Sequence, residues 1–207
     1  DQMIRHFKVH SMEGFGCEGD RAVIGAAGAV LHYVKQDLHR QASHVRSFSV
    51  RSSAEYLLLD ETTCRNLDLV SQAGGGVQFS LLGVLDVTRT AMGGRTLREW
   101  ILHPRATLDR INARHDAVES LCGDRLALRE MREQLGEIRD IERLIARAGA
   151  GTGNARDLTG ISQSLSQVPA VRSLVEDSES PLLRELGARL LDLPELVDHI
   201  GRAIADE

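Results

Sequence analysis

Asp140, Glu142 and Arg143 stand close together in the chain. Two carboxylates beside a guanidinium can do general acid–base work. At helical spacing they also read as solvated charge with i,i+3 partners, and the residues alone favour that reading. Eight histidines include His32, His39 and His44. His32 and His39 lie seven apart and would share a helix face, but a metal centre needs a third ligand nearby and none is evident. Gly149-Ala150-Gly151-Thr152-Gly153 suggests a nucleotide loop. It follows a helical pattern rather than a strand and lacks G-x-G-x-x-G spacing, so an interhelical turn is expected. The sequence holds no G-x-x-x-x-G-K-[ST], no H-E-x-x-H and no G-x-S-x-G, the patterns that cradle phosphates, bind zinc or present a serine nucleophile. Cys17, Cys64 and Cys122 form no CxxC and read as reduced structural thiols.

The elements that would position such residues are mostly helical. The 207 residues are 42% hydrophobic and 27% charged, enough to build a core. With 25 basic and 30 acidic residues the net charge is −5, which opposes a chain that coats nucleic acid while leaving room for a local basic patch. Aromatics at 3% argue against stacking platforms for single strands. Met3 and Phe7 suit a helical turn, and Gly14-Phe15-Gly16 breaks it. Val23, Ala26, Ala27, Val30, Leu31, Val34 and Leu38 fall on one stripe, with Gly25 and Gly28 keeping that helix slim. Arg46 to Val50 alternates like a short strand. Leu57-Leu58-Leu59 reads as a buried strand or turn, Asp60 as a helix N-cap, and Gly74-Gly75-Gly76 as a flexible loop. Beyond about residue 80 the pattern is all-α. One helix carries Leu97, Trp100 and Ile101 and ends at Pro104. The next buries Leu108, Ile111, His115, Val118 and Cys122. Another runs from Leu135 to Ala148. Asn154 caps one that Pro169 closes, Ser180-Pro181 opens another, and Pro194 starts the last. No apolar run reaches the ~20 residues of a membrane span, and Asp1 to Arg5 is not expected to open a signal peptide.

The densest block of unusual residues runs from Leu82 to Pro104. It resembles the core signature of the MutS family of DNA mismatch repair proteins, L-D-x-T-x-T-x-M-G-x-R-x-L-x-x-W with a following proline. Asp86, Thr88, Thr90, Met92, Gly93, Arg95, Leu97, Trp100 and Pro104 carry the match. Asp60, Thr63, Arg65, Asn66 and Leu67 are similar to its D-x-x-T-x-R-N-L, with Cys64 where the family usually has a second arginine. Asp140-Ile141-Glu142-Arg143-Leu144, then Arg147, resembles D-[LI]-E-R-L-x-x-R. Asn154-Ala155-Arg156-Asp157-Leu158 resembles N-x-R-D-L. Gly14-Phe15-Gly16 and Ala26 to Leu31, with Tyr33, look like the end of the family's connector domain.

The resemblance implies a mainly α fold: a helical core-domain fragment with a small α/β-type connector remnant at the N-terminus. Its expected parts are the connector end over 1–43, a linker over 44–50 and the first part of the core, or lever, over 51–207. Asp86 and Thr90 would cap the helix entering at Met92, and Gly93 would allow close packing there. Arg95 and Arg98 would offer planar donors to interdomain carboxylates. Trp100 would be the buried anchor, and the block reads as architecture rather than as a catalytic site. Phe15 and Glu18 are three apart and are not the family's mismatch-reading F-x-E. No Walker motif follows, and the chain stops about where the clamp insertion is expected. The fragment is therefore expected to bind no cofactor or metal and to catalyse nothing. ATP, Mg, mismatched double-stranded DNA, MutL and a homodimer or higher oligomer belong to the full-length family member, in the cytoplasm and away from membranes. Leu186, Leu190, Leu193, Val197, Ile200 and Ile204 are expected to drive self-association or to fold back onto Leu158, Ile161 and Leu165. The alternative is an autonomous helical interaction module without DNA business; a small enzyme stays open as a third.

Overall fold

Short polar side chains set most of the helix starts. Asp20, Asp60, Ser80, Thr90, Asp124, Asp140 and Asn154 each accept a hydrogen bond from a free N–H of the first turn that follows, satisfying donors with no partner inside the helix. The computed structural model describes residues 2–15, 17–42, 45, 48, 50 and 55–204. Helix makes up 67% of the protein, so the chain is mainly α as expected. It divides into two compact units, residues 1–53 and 54–207.

The first unit contains α1 (Gln2–Phe7), a 3-10 turn at Glu13–Phe15, α2 (Arg21–His32) and a wide π-type turn at Tyr33–Asp37. No strand occurs among its described residues. The alternating stretch at 46–50 has Arg46, Ser47 and Ser49 outside the described residues, as are His44 and Gly16. Met3, Met12, Cys17, Leu31 and Ala42 form the buried cluster, with Phe7, Phe15 and Phe48 packed on it. The close approach expected at Gly25 and Gly28 is not needed: a Cβ at Gly28 would meet Met3 Cγ at an ordinary 3.9 Å, and one at Gly25 would meet nothing within 4 Å. Val30 and Leu38 of the expected stripe are exposed instead.

The second unit carries α3 (Glu61–Asn66), a 3-10 turn at Val77–Phe79, α4 (Leu81–Leu85), α5 (Ala91–Leu102), α6 (Leu108–Gly123) and α7 (Arg125–Gly136). It continues with α8 (Ile141–Gly149), α9 (Ala155–Ser166), α10 (Val168–Glu176), α11 (Pro181–Ala188) and α12 (Pro194–Ala203). Two small cores hold it. Ala117, Val175 and Leu183 join α6, α10 and α11; Leu144, Ile161 and Ile200 join α8, α9 and α12. Part of the terminal stripe has thus folded back: Ile200 is buried, and Ile204 and Leu165 pack beside it. Leu186 and Leu193 remain exposed.

Several expectations are corrected. The 135–148 pattern is two helices, because Asp140 caps a new start. Pro169 lies in the first turn of α10 and opens that helix rather than closing α9, a place where a missing N–H costs nothing. The α6 stripe points outward at Leu108 and Val118, while Ala117 faces inward. Small Ala117 lets α6 approach Leu183 and Val175, which outweighs the larger apolar residues of the sequence pattern. Leu57 and Leu58 are exposed, and only their neighbourhood is pinned, through Leu57 N–H to the Pro104 carbonyl at 2.8 Å. Gly74–Gly76 is a tight turn closed by Gln72 and Gly76, with Gly74 and Gly76 at positive φ, where glycine is at ease. Gly83 shows the closest approach: a Cβ there would lie 2.2 Å from the Val77 carbonyl oxygen.

Candidate functional site

The signature block builds the N-terminal end of α5 from local hydrogen bonds. Thr90 Oγ1 accepts from Gly93 N–H at 2.9 Å and is the cap of α5. Asp86 works one step earlier. Its Oδ1 accepts from Thr88 N–H at 3.1 Å and from Thr88 Oγ1 at 2.6 Å, so it shapes the entering loop rather than the helix itself. Gly93 and Gly94 give this loop room: added Cβ atoms would lie 2.9 Å from Thr90 Oγ1 and 3.3 Å from Asp86 Oδ2. Met92 and Leu97 are half-buried on the same helix.

One turn into α5, Arg95 leaves this loop and reaches α8. Its two terminal nitrogens donate to Asp140 Oδ2 and Oδ1 at 2.8 and 2.7 Å, and Nη2 also donates to Glu142 Oε2 at 2.6 Å. A planar fork fits a carboxylate in this two-point way. Asp140 is triply used, since it also caps α8 through Arg143 N–H at 3.4 Å and pairs with the Arg143 side chain at 3.3 Å. The Arg95 guanidinium lowers the Asp140 carboxyl from the usual 3.8 to about 2. Asp140, foremost, and Glu142 push Arg95 upward in return. The three residues read as candidate acid–base groups are therefore committed to an ionic joint. The i,i+3 pairing with Arg143 is present, but the stronger partner of Asp140 lies 45 positions away. Arg95 finds its carboxylates inside its own unit, a correction to the interdomain expectation.

A second fork lies at the other end of α8. Arg147 Nε and Nη2 donate to Asp157 Oδ2 and Oδ1 at 3.1 and 2.5 Å. Asp157 is buried and also closes the capping box with Asn154. Arg147 holds the Asp157 carboxyl below its ordinary range. Between the forks, Ser164 Oγ accepts from Arg139 N–H at 3.0 Å and donates to the Gly160 carbonyl at 2.7 Å, and Ser164 is fully buried. Arg147 stands in the sequence only as the last residue of the D-[LI]-E-R-L-x-x-R match, and Ser164 in none of the matched blocks. The signal for the second was Gly160 in mid-helix, where an added Cβ would press on Arg139 and Leu144.

Other candidates stand apart. Trp100 is 46% exposed. Its ring is covered by the Arg114 guanidinium, 3.7 Å from the centroid, and burial lowers the pKa of Arg114, with Arg105 a second cause. It is not the buried anchor expected. Pro104 supplies its carbonyl to Leu57, Asn66 is exposed at the end of α3, and Arg98 and Arg156 are exposed.

Residues 62–207 match the family model described as MutS domain III. The chain belongs to the MutS family. It is 42% identical to a DNA mismatch repair protein MutS of Myxococcus xanthus over 98% of its length. Identity is 38% to the MutS of Methanosarcina barkeri and 41% to that of Anaeromyxobacter dehalogenans, in both over 100% of the chain. It spans 23–24% of the length of these relatives. Every residue of the two forks lies inside the matched domain III segment. No helix among the described residues is long and apolar enough to cross a membrane.

Proposed function

We propose that this chain is a structural, signal-relaying segment of a DNA mismatch repair protein. The observation that supports this is the pair of arginine forks on α8. Arg95 ties the start of α8 to α5, and Arg147 ties its end to α9. Bidentate pairs fix orientation as well as distance, so α5, α8 and α9 move as one block. A block with discrete ionic joints is suited to carry a displacement between distant sites. In this reading residues 1–43 are the end of a connector and 51–207 the first part of the lever. The segment itself turns over nothing. The whole protein would bind ATP with Mg, mismatched double-stranded DNA and MutL, as a homodimer or higher oligomer in the cytoplasm.

The test uses a full-length MutS protein carrying this segment. Arg95→Ala should leave mismatch affinity and basal ATP turnover within about twofold. It should weaken ATP-triggered release from the mismatch by about tenfold, a coupling free energy of ordinary size. Unchanged coupling in Arg95→Ala and Arg147→Ala together overturns the reading. A second reading, a helical interaction module without DNA business, is favoured by Val77, Phe79, Val84 and Val87, all more than half exposed. It gains if a full-length chain shows no mismatch preference.

A further inference from the structure

Charge is divided unevenly along the chain. Residues 1–53 hold seven Lys and Arg against five Asp and Glu, while 54–207 hold eighteen against twenty-five. Both lysines, Lys8 and Lys35, and five of the eight histidines lie in the first 53 residues. The structure gathers both lysines with Arg5, His6 and His32. Two adjoining clefts of about 480 and 680 Å³ share Arg5, His6 and Lys35 in their walls. His32 completes the first and Lys8 the second, and among the described residues lining the two clefts none is acidic. The side chains of Gln2, Gln36 and Gln41 add neutral donors.

The groove is organised as well as basic. His6 Nε2 lies 2.9 Å from the Val45 carbonyl oxygen. A carbonyl only accepts, so Nε2 carries the proton and Nδ1 is bare. Lys35 Nζ donates to that Nδ1 at 2.7 Å, which holds the half-buried ammonium in place with two N–H bonds to spare. Lys8 sits at φ 55°, a left-handed conformation that is unfavourable for a lysine and that glycine would adopt freely. A strained residue kept in a cation-lined groove is the kind of outlier that accompanies a site. Three cations, one of them held in place, with no acidic residue among the described lining favour negative oxygen there.

We propose that this groove binds phosphate oxyanions, with Lys35, Arg5 and Lys8 as the primary contacts. Two sources share that chemistry: the backbone of double-stranded DNA and small phosphates such as pyrophosphate. The inference is independent of the forks on α8, which lie in the other unit. It is tested on the 207-residue chain with inorganic pyrophosphate in one arm and a short, fully paired duplex in the other. Binding is read by calorimetry and by anisotropy. Lys35→Gln, Arg5→Gln and Lys8→Gln should each weaken binding about tenfold. Arg129→Gln, on the second unit, should leave it unchanged. In the duplex arm each of the three should also reduce the salt slope by about one. Helix content by circular dichroism separates lost binding from lost fold, and Lys8→Gln, at an exposed position, guards against a folding defect in Lys35→Gln. Binding in the duplex arm alone assigns the backbone, and binding of pyrophosphate alone assigns a free phosphate. No binding in either arm, or binding indifferent to all three substitutions, overturns the proposal.

Discussion

The two units hold themselves together by different means. Residues 1–53 gather one apolar cluster around Met3 and Leu31, with Phe7 and Phe15 5.0 Å apart and Phe15 stacked on Phe48 at 4.8 Å between centroids. Residues 54–207 are three times longer, yet among the described residues there the two buried clusters hold three residues each. There the helices are joined by directional bonds: the Arg95 and Arg147 forks, and Arg172 to Asp192 at 2.7 Å. Apolar contact is indifferent to small rotations, whereas a bidentate pair is not. A segment that must keep the relative orientation of several helices gains from the second device, and one that must only stay folded can use the first.

That contrast can be broken most sharply at the aromatic cluster. Phe7→Ala should cost about 3–4 kcal/mol, the usual price of removing a well-packed ring. Hydrogen exchange should then rise in 2–42 while the amides of α8 and α9 keep their protection. Equal loss in both units would show that they do not stand on separate cores. Leu144→Ala comes next at about 2–3 kcal/mol, read by denaturant midpoint. It removes one of three buried residues from the α8–α9–α12 cluster, and protection should fall in those helices while 2–42 is spared.

Acid probes the forks. Asp140 has its folded pKa lowered from 3.8 to about 2 by Arg95, and Asp157 is lowered by Arg147. A depressed carboxylate contributes stability that is present above its unfolded pKa and is lost as pH falls through the folded one. The second unit should therefore keep its Tm down to about pH 4 and lose it between about pH 4 and 2. Asp140→Asn should have a lower Tm at pH 7 and a shallower fall over that window. An identical acid profile in the variant would mean that the fork does not outlast solvent competition.

Most of the fold was legible where local chemistry acts alone. Asp60, Thr90, Asn154 and Ser180-Pro181 mark true helix starts because a cap or a proline decides a start within one turn. Faces were harder to read. Leu108 and Val118 look like a core stripe, but which side of α6 is covered depends on α10 and α11, some sixty residues later. The forks were half legible. Arg95, Asp140 and Glu142 were each singled out, yet nothing in local spacing says that Arg95 crosses to α8. The His6–Lys35 pair was invisible for the same reason, since it joins positions 29 apart.

Trp100 tests the smallest difference and the plainest mismatch between pattern and packing. A tryptophan four residues before a helix-stopping proline, in a chain with no other, invites the reading of a buried anchor. A buried Trp cut to Ala costs about 3–5 kcal/mol. Here the ring is 46% exposed and Arg114 lies over one face of it. A cation over an exposed ring is worth about 0.5–1 kcal/mol, so Trp100→Ala should cost about 1–2 kcal/mol, with Trp100→Phe recovering part of it. Arg114→Met should leave the Trp100 emission that of an exposed tryptophan, because the ring already meets water. A blue-shifted emission in the 207-residue chain, with a loss above about 3 kcal/mol for Trp100→Ala, would instead show the ring to be covered in solution. The aromatic would then count among the anchors of the second unit, and the contrast with the phenylalanine cluster of the first would narrow.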